Sequence, residues 1–213
     1  MRNSANSSRE TRRTETTHEL IRLARHLTAE HGLAGFTIEQ LCTEAAVSRR
    51  TFFNYFASKE DAVLGVPLER SDAAAIAQFL AQRDDRRGLT PTLLNDLAEL
   101  ATTRWRALDI APETVADLFR AVDKEPRLLR RMLELGFEAE AFDARLIEQR
   151  EGLLPGDLRA QVAAQLIGSL VRSSAAAFLS PGSDATFVDI FQRRLDAARD
   201  LFATQTNLIG THE

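Results

Sequence analysis

Between positions 48 and 59 the chain reads SRRTFFNYFASK, with three basic residues and no acid. Arg50 and Asn54 are four apart and share one side of a helix, and Thr51 and Tyr55 share another. Phe52 and Phe56, also four apart, make an apolar side that must be covered. A short helix with a buried aromatic side and an exposed Arg, Thr, Asn and Tyr side suits a DNA major groove. There Arg bridges guanine O6 and N7, Asn reads adenine, and Thr and Tyr hold phosphates. Arg49 and Arg50 taken alone are equally a solvated charge pair.

The elements around this segment decide between the two. Leu20, Leu23, Ala24 and Leu27 predict a helix over about 15–31, stopped at Gly32. Thr37 and Gln40 fit a capping box for a helix over 38–45, with Phe36 and Leu41 as its hydrophobic staple. Ser48 caps a third helix over 49–56, where Val47 and Phe52 repeat the staple spacing. Ser58 caps a fourth, with Glu60 and Asp61 where the helix dipole favours acids. Two consecutive capped helices, paired staples and an acid-free surface favour a helix-turn-helix.

Pro67 is expected to kink or interrupt the fourth helix, which otherwise continues to about Arg83. Further helices are expected from Pro91 to about 108, over 112–123, 126–149 and 157–179, and from about 187. The fold class is all-α, with about nine helices. Polar residues 1–14 read as a disordered basic arm, 15–62 as a helix-turn-helix domain, and 63–213 as a separate helical domain.

Composition agrees. Gly and Pro together make up about 7.5% of 213 residues, below the roughly 12% of average proteins. The single cysteine, Cys42, excludes a disulfide framework. The net charge of −4 conceals an asymmetry. Residues 1–59 hold nine Lys/Arg against six Asp/Glu, a net of +3, so the acidity lies in the remainder. There is no secretory leader pattern and no apolar run of membrane-spanning length, so a cytoplasmic protein is expected. No G-x-S-x-G, Walker A, dinucleotide or H-E-x-x-H pattern occurs, so no enzyme, cofactor or catalytic residue is expected. His18 and His26 have no third ligand nearby, and no metal site is expected.

Residues 37–64, TIEQLCTEAAVSRRTFFNYFASKEDAVL, closely resemble the DNA-binding signature of the TetR family of bacterial regulators. The resemblance is specific over this stretch and rests only on helix order after about residue 70. It implies that Thr37 touches a phosphate. Ser48, Arg49, Arg50, Thr51 and Asn54 would face bases or flanking phosphates, and Tyr55 and Lys59 would clamp the backbone. Two positions depart from the family pattern. Ala46 replaces the usual turn glycine, so the turn either avoids positive φ or carries roughly 1 kcal/mol of strain. Phe53 replaces a common tyrosine and loses one hydroxyl–phosphate bond.

The resemblance further implies a ligand-responsive regulator, a repressor by preference, binding a palindromic double-stranded DNA operator as a homodimer. The dimer interface would fall on the last two helices, through Leu166, Leu170, Ser173 and Ala177 on one and Phe187, Phe191 and Leu195 on the other. The middle helices would enclose an effector pocket, with Phe79, Leu97, Trp105, Phe119, Val122, Met132 and Phe137 as its lining. Such a lining favours a small hydrophobic or amphipathic effector, fatty-acyl or aromatic. The alternative is a helical protein-interaction module with a degenerate DNA-binding head, which the intact Arg50, Asn54, Tyr55 and Lys59 set opposes.

Overall fold

The computed structural model describes residues 2–68, 72–83, 88–107, 112–180 and 184–209. The regular structure among them is entirely helical, in ten helices that divide between two compact units. The first unit comprises Met1–Ser71 with Leu108–Leu135. It holds α1 (Arg2–His31), α2 (Ile38–Glu44), α3 (Arg49–Tyr55), α4 (Lys59–Leu64), α7 (Pro112–Lys124) and the start of α8 (Pro126–Glu151). The second unit, Asp72–Ala107 with Gly136–Glu213, holds α5 (Ala73–Ala81), α6 (Leu93–Ala107), the rest of α8, α9 (Leu158–Phe178) and α10 (Phe187–Ile209).

The tenth helix arises at the expected interruption. Gly65 closes α4 in the left-handed conformation (φ 76°), donating its N–H to Ala62, and Pro67 follows. The chain resumes as a separate α5 at Ala73 rather than continuing to Arg83. At the other end, α1 begins at Arg2, within the stretch whose composition suggests an arm without structure. Once a helix is nucleated, each added residue contributes a further hydrogen bond. Thr16 and Thr17 also donate their hydroxyls to the carbonyls of Arg12 and Arg13. Residues 84–87, in the polar stretch between α5 and α6, lie outside the described residues.

The first unit is built on α1. Leu20, Leu23, Ala24 and Leu27 join Leu33, Phe36, Leu41, Phe52, Phe56 and Val63 in one buried cluster. Burying each Leu or Phe contributes roughly 1.5–3 kcal/mol. Ala121 of α7 and Leu128 of α8 complete the same cluster. Polar contacts fix α7 along α1. Lys124 donates its ammonium to the carbonyls of Ala29 (3.1 Å) and Glu30 (2.7 Å), where the helix dipole favours a cation. Glu125 accepts from the Leu33 N–H at 2.6 Å, just past Gly32, which ends α1 with φ 72°.

The second unit has its own core of Phe79, Leu93, Leu97, Leu100, Ile147, Ala164, Ile167, Phe187, Phe191 and Leu195. Trp105 stacks on Phe187 with centroids 3.8 Å apart, and Phe191 extends the stack at 5.6 Å from Phe187. Arg150 is buried here over the Phe79 ring, pairing with Asp96. Its neighbour Glu151 accepts from the amide and hydroxyl of Thr90.

Candidate nucleic-acid interface

The head is shaped by its caps. Thr37 accepts from the Gln40 N–H at 3.1 Å, and the Gln40 side chain accepts from the Thr37 N–H at 2.7 Å, so the expected capping box is complete. Ser48 accepts from the Thr51 N–H at 3.0 Å, and Ser58 from the Asp61 N–H at 3.0 Å. Each cap satisfies an otherwise unpaired amide of a first turn and fixes where its helix begins.

The turn joining α2 to α3 resolves the question raised by Ala46. The residue sits at φ 53°, the one positive-φ position among the described residues that is not glycine. The Val47 N–H reaches the Cys42 carbonyl at 2.9 Å and the Ala46 N–H reaches the Thr43 carbonyl at 3.2 Å. These two bonds make a Schellman motif, in which the left-handed residue is usually glycine. The chain therefore accepts the strain and keeps the turn. Cys42 lies in the buried cluster beneath it, and burial raises its thiol pKa.

α3 presents the sides expected of it. Phe52 is buried, as is Phe56 just past the helix, their rings 5.9 Å apart. On the opposite side Arg50 and Asn54 are exposed and make no hydrogen bond or ion pair with the described residues. The other predicted contact residues are partly engaged. Arg49 pairs with Glu39 at 2.8 Å. The hydroxyls of Ser48 and Thr51 lie 2.8 Å apart. Tyr55 is half-buried, with the Arg13 guanidinium 5.4 Å from its ring centre.

Lys59 is the most committed of the set. Its ammonium donates to the carbonyls of Leu33 (2.5 Å) and Phe36 (2.7 Å) and lies 4.6 Å from the Phe36 ring centre. Two of its three donors therefore hold the α1–α2 connection to the start of α4.

Reading the sequence missed two further residues that shape this head, Glu39 and Arg25, and the partner of a third, Asp61. Glu39 is exposed on α2, its carboxyl pKa lowered by its own amide and then by Arg49. Arg25 is buried on α1, and Asp61 is buried in α4 against Arg131 at 3.0 Å. Asp61 was legible as a first-turn acid, but its partner lies 70 positions away.

The predicted pocket residues divide between the two units. Phe79, Leu97 and Trp105 belong to the core of the second unit. Phe119, Val122 and Met132 lie in the first, where Val122 packs on the core and the other two are exposed. Phe137, in the second unit, lines an open cleft of about 740 Å³ together with Ala144, Arg145, Leu153 and Gln165. Of the residues expected at a dimer interface, Leu166, Leu170, Ser173 and Ala177 are half-buried on α9. Phe187, Phe191 and Leu195 are instead 1–2% exposed, covered by their own unit. An apolar stripe at helical spacing shows that a face is buried but not what buries it.

No helix among the described residues is long and apolar enough to cross a membrane. Two capped helices joined by a tight left-handed turn, with an open Arg50 and Asn54 side, define a helix-turn-helix DNA-binding protein. Residues 20–65 match the family described as bacterial regulatory proteins, tetR family. The chain is similar to the HTH-type transcriptional regulator TcmR of Streptomyces glaucescens. The two are 29% identical over 195 residues, covering 88% of this chain and 85% of that one. It is also similar to the HTH-type transcriptional repressor AcnR of Corynebacterium diphtheriae. Here identity is 26% over 184 residues, covering 85% and 88% of the two chains. Residues 20–65 thus resemble the DNA-binding domain of that family, and both relatives are named as transcriptional regulators.

Proposed function

We propose that the protein is a repressor that binds a palindromic operator as a homodimer and is released from it by a small effector. The observation that carries this reading is the pair Arg50 and Asn54, exposed and uncommitted on a helix whose other side is locked into the core. A degenerate head has no reason to keep two base-reading side chains free of protein partners, which counts against an interaction module. The domain assignment proposed is a DNA-binding head over 15–62 and an effector and dimerisation body over 63–213. AcnR, named a repressor, supports the sign of regulation.

The dimer reading is supported by exposed apolar side chains on the last two helices. Leu158 and Val162 lie one turn apart on α9, and Leu201 and Phe202 lie on α10. Two copies of such a pair of helices form a four-helix bundle, and a dimer places two recognition helices in half-sites about one turn of DNA apart. The effector reading is supported by the cleft at Phe137, whose volume falls within the range of small-molecule sites. Its mixed wall suits an amphipathic molecule, with a fatty-acyl or aromatic part against Phe137 and Leu153 and a polar end at Arg145 or Gln165. The effector acts through its unequal affinity for the DNA-bound and DNA-free forms.

The test is duplex binding across a salt titration. A head that neutralises several phosphates weakens linearly in log affinity against log salt, with a slope near −0.9 per phosphate contacted. A flat salt response, or equal affinity for every duplex sequence, would refute the regulator reading.

A further inference from the structure

Phe53 is an aromatic residue on the wrong side of its helix for packing. It is 39% exposed, whereas its neighbours Phe52 and Phe56 are fully buried. It lies three positions after Arg50 and one before Asn54, bordering the uncommitted surface of α3. Its ring is held rather than loose. Phe52 meets it edge-on with centroids 5.3 Å apart, and the Arg49 guanidinium lies 5.5 Å from its centre. Arg49 is itself tethered by Glu39 at 2.8 Å. An acid on α2 thus fixes an arginine on α3, which rests against the exposed ring.

Phenylalanine has no hydroxyl with which to bind a phosphate, and exposing its ring to water forgoes hydrophobic stabilisation. The apolar feature that a major groove offers is the C5 methyl of thymine. We propose that Phe53 is a specificity residue that reads a thymine methyl in each half-site, with Arg49 and Glu39 as its positioning residues. The inference rests on the DNA-binding reading of the head and deepens it from affinity to a particular base.

Duplexes that the full-length protein retains from a random library supply the probe. Each thymine is then replaced in turn by deoxyuridine, which deletes the methyl and nothing else. The wild-type protein is expected to lose about fourfold in affinity at one thymine per half-site, the equivalent of one buried methyl. Phe53→Ala, weaker on the parent duplex, is expected to bind parent and uridine duplexes alike. Glu39→Gln, which unties Arg49, is expected to shrink the wild-type difference.

No uridine effect on the wild type, or an equal loss in Phe53→Ala, overturns the assignment and leaves the DNA-binding reading standing. A Glu39→Gln variant that keeps the whole difference overturns the positioning role. Failure to retain any duplex overturns the DNA-binding reading and this inference with it.

Discussion

Arg25 donates through Nε to the carbonyl oxygen of Val63 at 2.9 Å, which ties the buried side of α1 to the last turn of α4. Its Nη1 reaches the Thr114 hydroxyl at 3.1 Å in the first turn of α7. Burial pulls the guanidinium pKa down to about 10, opposed by Asp117, so the group is still charged at neutral pH. Removing the side chain leaves a buried carbonyl unpaired. Arg25→Ala is expected to lower stability by about 2–3 kcal/mol in urea unfolding. Arg25→Lys keeps the charge without the planar fork and should recover less than half of that loss.

The strained turn gives a prediction of opposite sign. Replacing Ala46 by glycine removes the side chain that the left-handed conformation penalises, while the Schellman bonds of the turn are kept. Ala46→Gly is expected to stabilise the protein by about 0.5 kcal/mol, the strain relieved less the larger unfolded-state entropy of glycine. Thermal unfolding should shift upward by about 1–2 °C, with unchanged duplex binding.

Arg50 and Lys59 should separate recognition from stability. Arg50 is exposed and uncommitted, so Arg50→Ala should leave stability within about 0.5 kcal/mol. Its affinity for the selected duplex should fall by about 1–3 kcal/mol, with relaxed preference at one base pair. Lys59→Ala removes the donor to Leu33 and Phe36 and should lower stability by about 1–2 kcal/mol. It should weaken all duplexes by a similar factor. Melting curves and binding isotherms on the same two variants check both halves.

Acid should loosen α9 first at its cap. Asp157 caps this helix through the Arg159 N–H at 2.9 Å and also pairs with the Arg159 side chain. Those bonds from Arg159 lower its carboxyl pKa from 3.8 to about 2. A depressed folded-state value means the carboxylate stabilises the fold above the unfolded value of 3.8, and this is lost as pH falls toward 2. The stability gap between wild type and Asp157→Ala should therefore be constant above about pH 5 and narrow below it, as followed by helical ellipticity.

What was legible in the sequence was local. The Thr37–Gln40 box, the Ser48 and Ser58 caps and the Gly32 stop each depend on residues within four positions of one another, and each is present. What was not legible depends on distant partners. Nothing in residues 112–124 announces that Lys124 ends on carbonyls more than ninety positions earlier, in α1. The apolar period of Phe187, Phe191 and Leu195 is satisfied equally by a second chain or by Trp105 and its neighbours, and only the fold chooses the latter. Phe53 could be seen to lack a hydroxyl, but its exposure and its contact with Arg49 required the packing of Phe52 and Phe56 to be known.

The stack of Trp105 on Phe187 has a practical consequence. The chain contains one tryptophan and one tyrosine, Trp105 in the second unit and Tyr55 at the end of the recognition helix. Each unit thus carries its own native chromophore. Indole emission reports on events in the body, and phenol absorbance reports on events at the head. Occupancy at either end can therefore be followed by optical spectroscopy on the unlabelled protein.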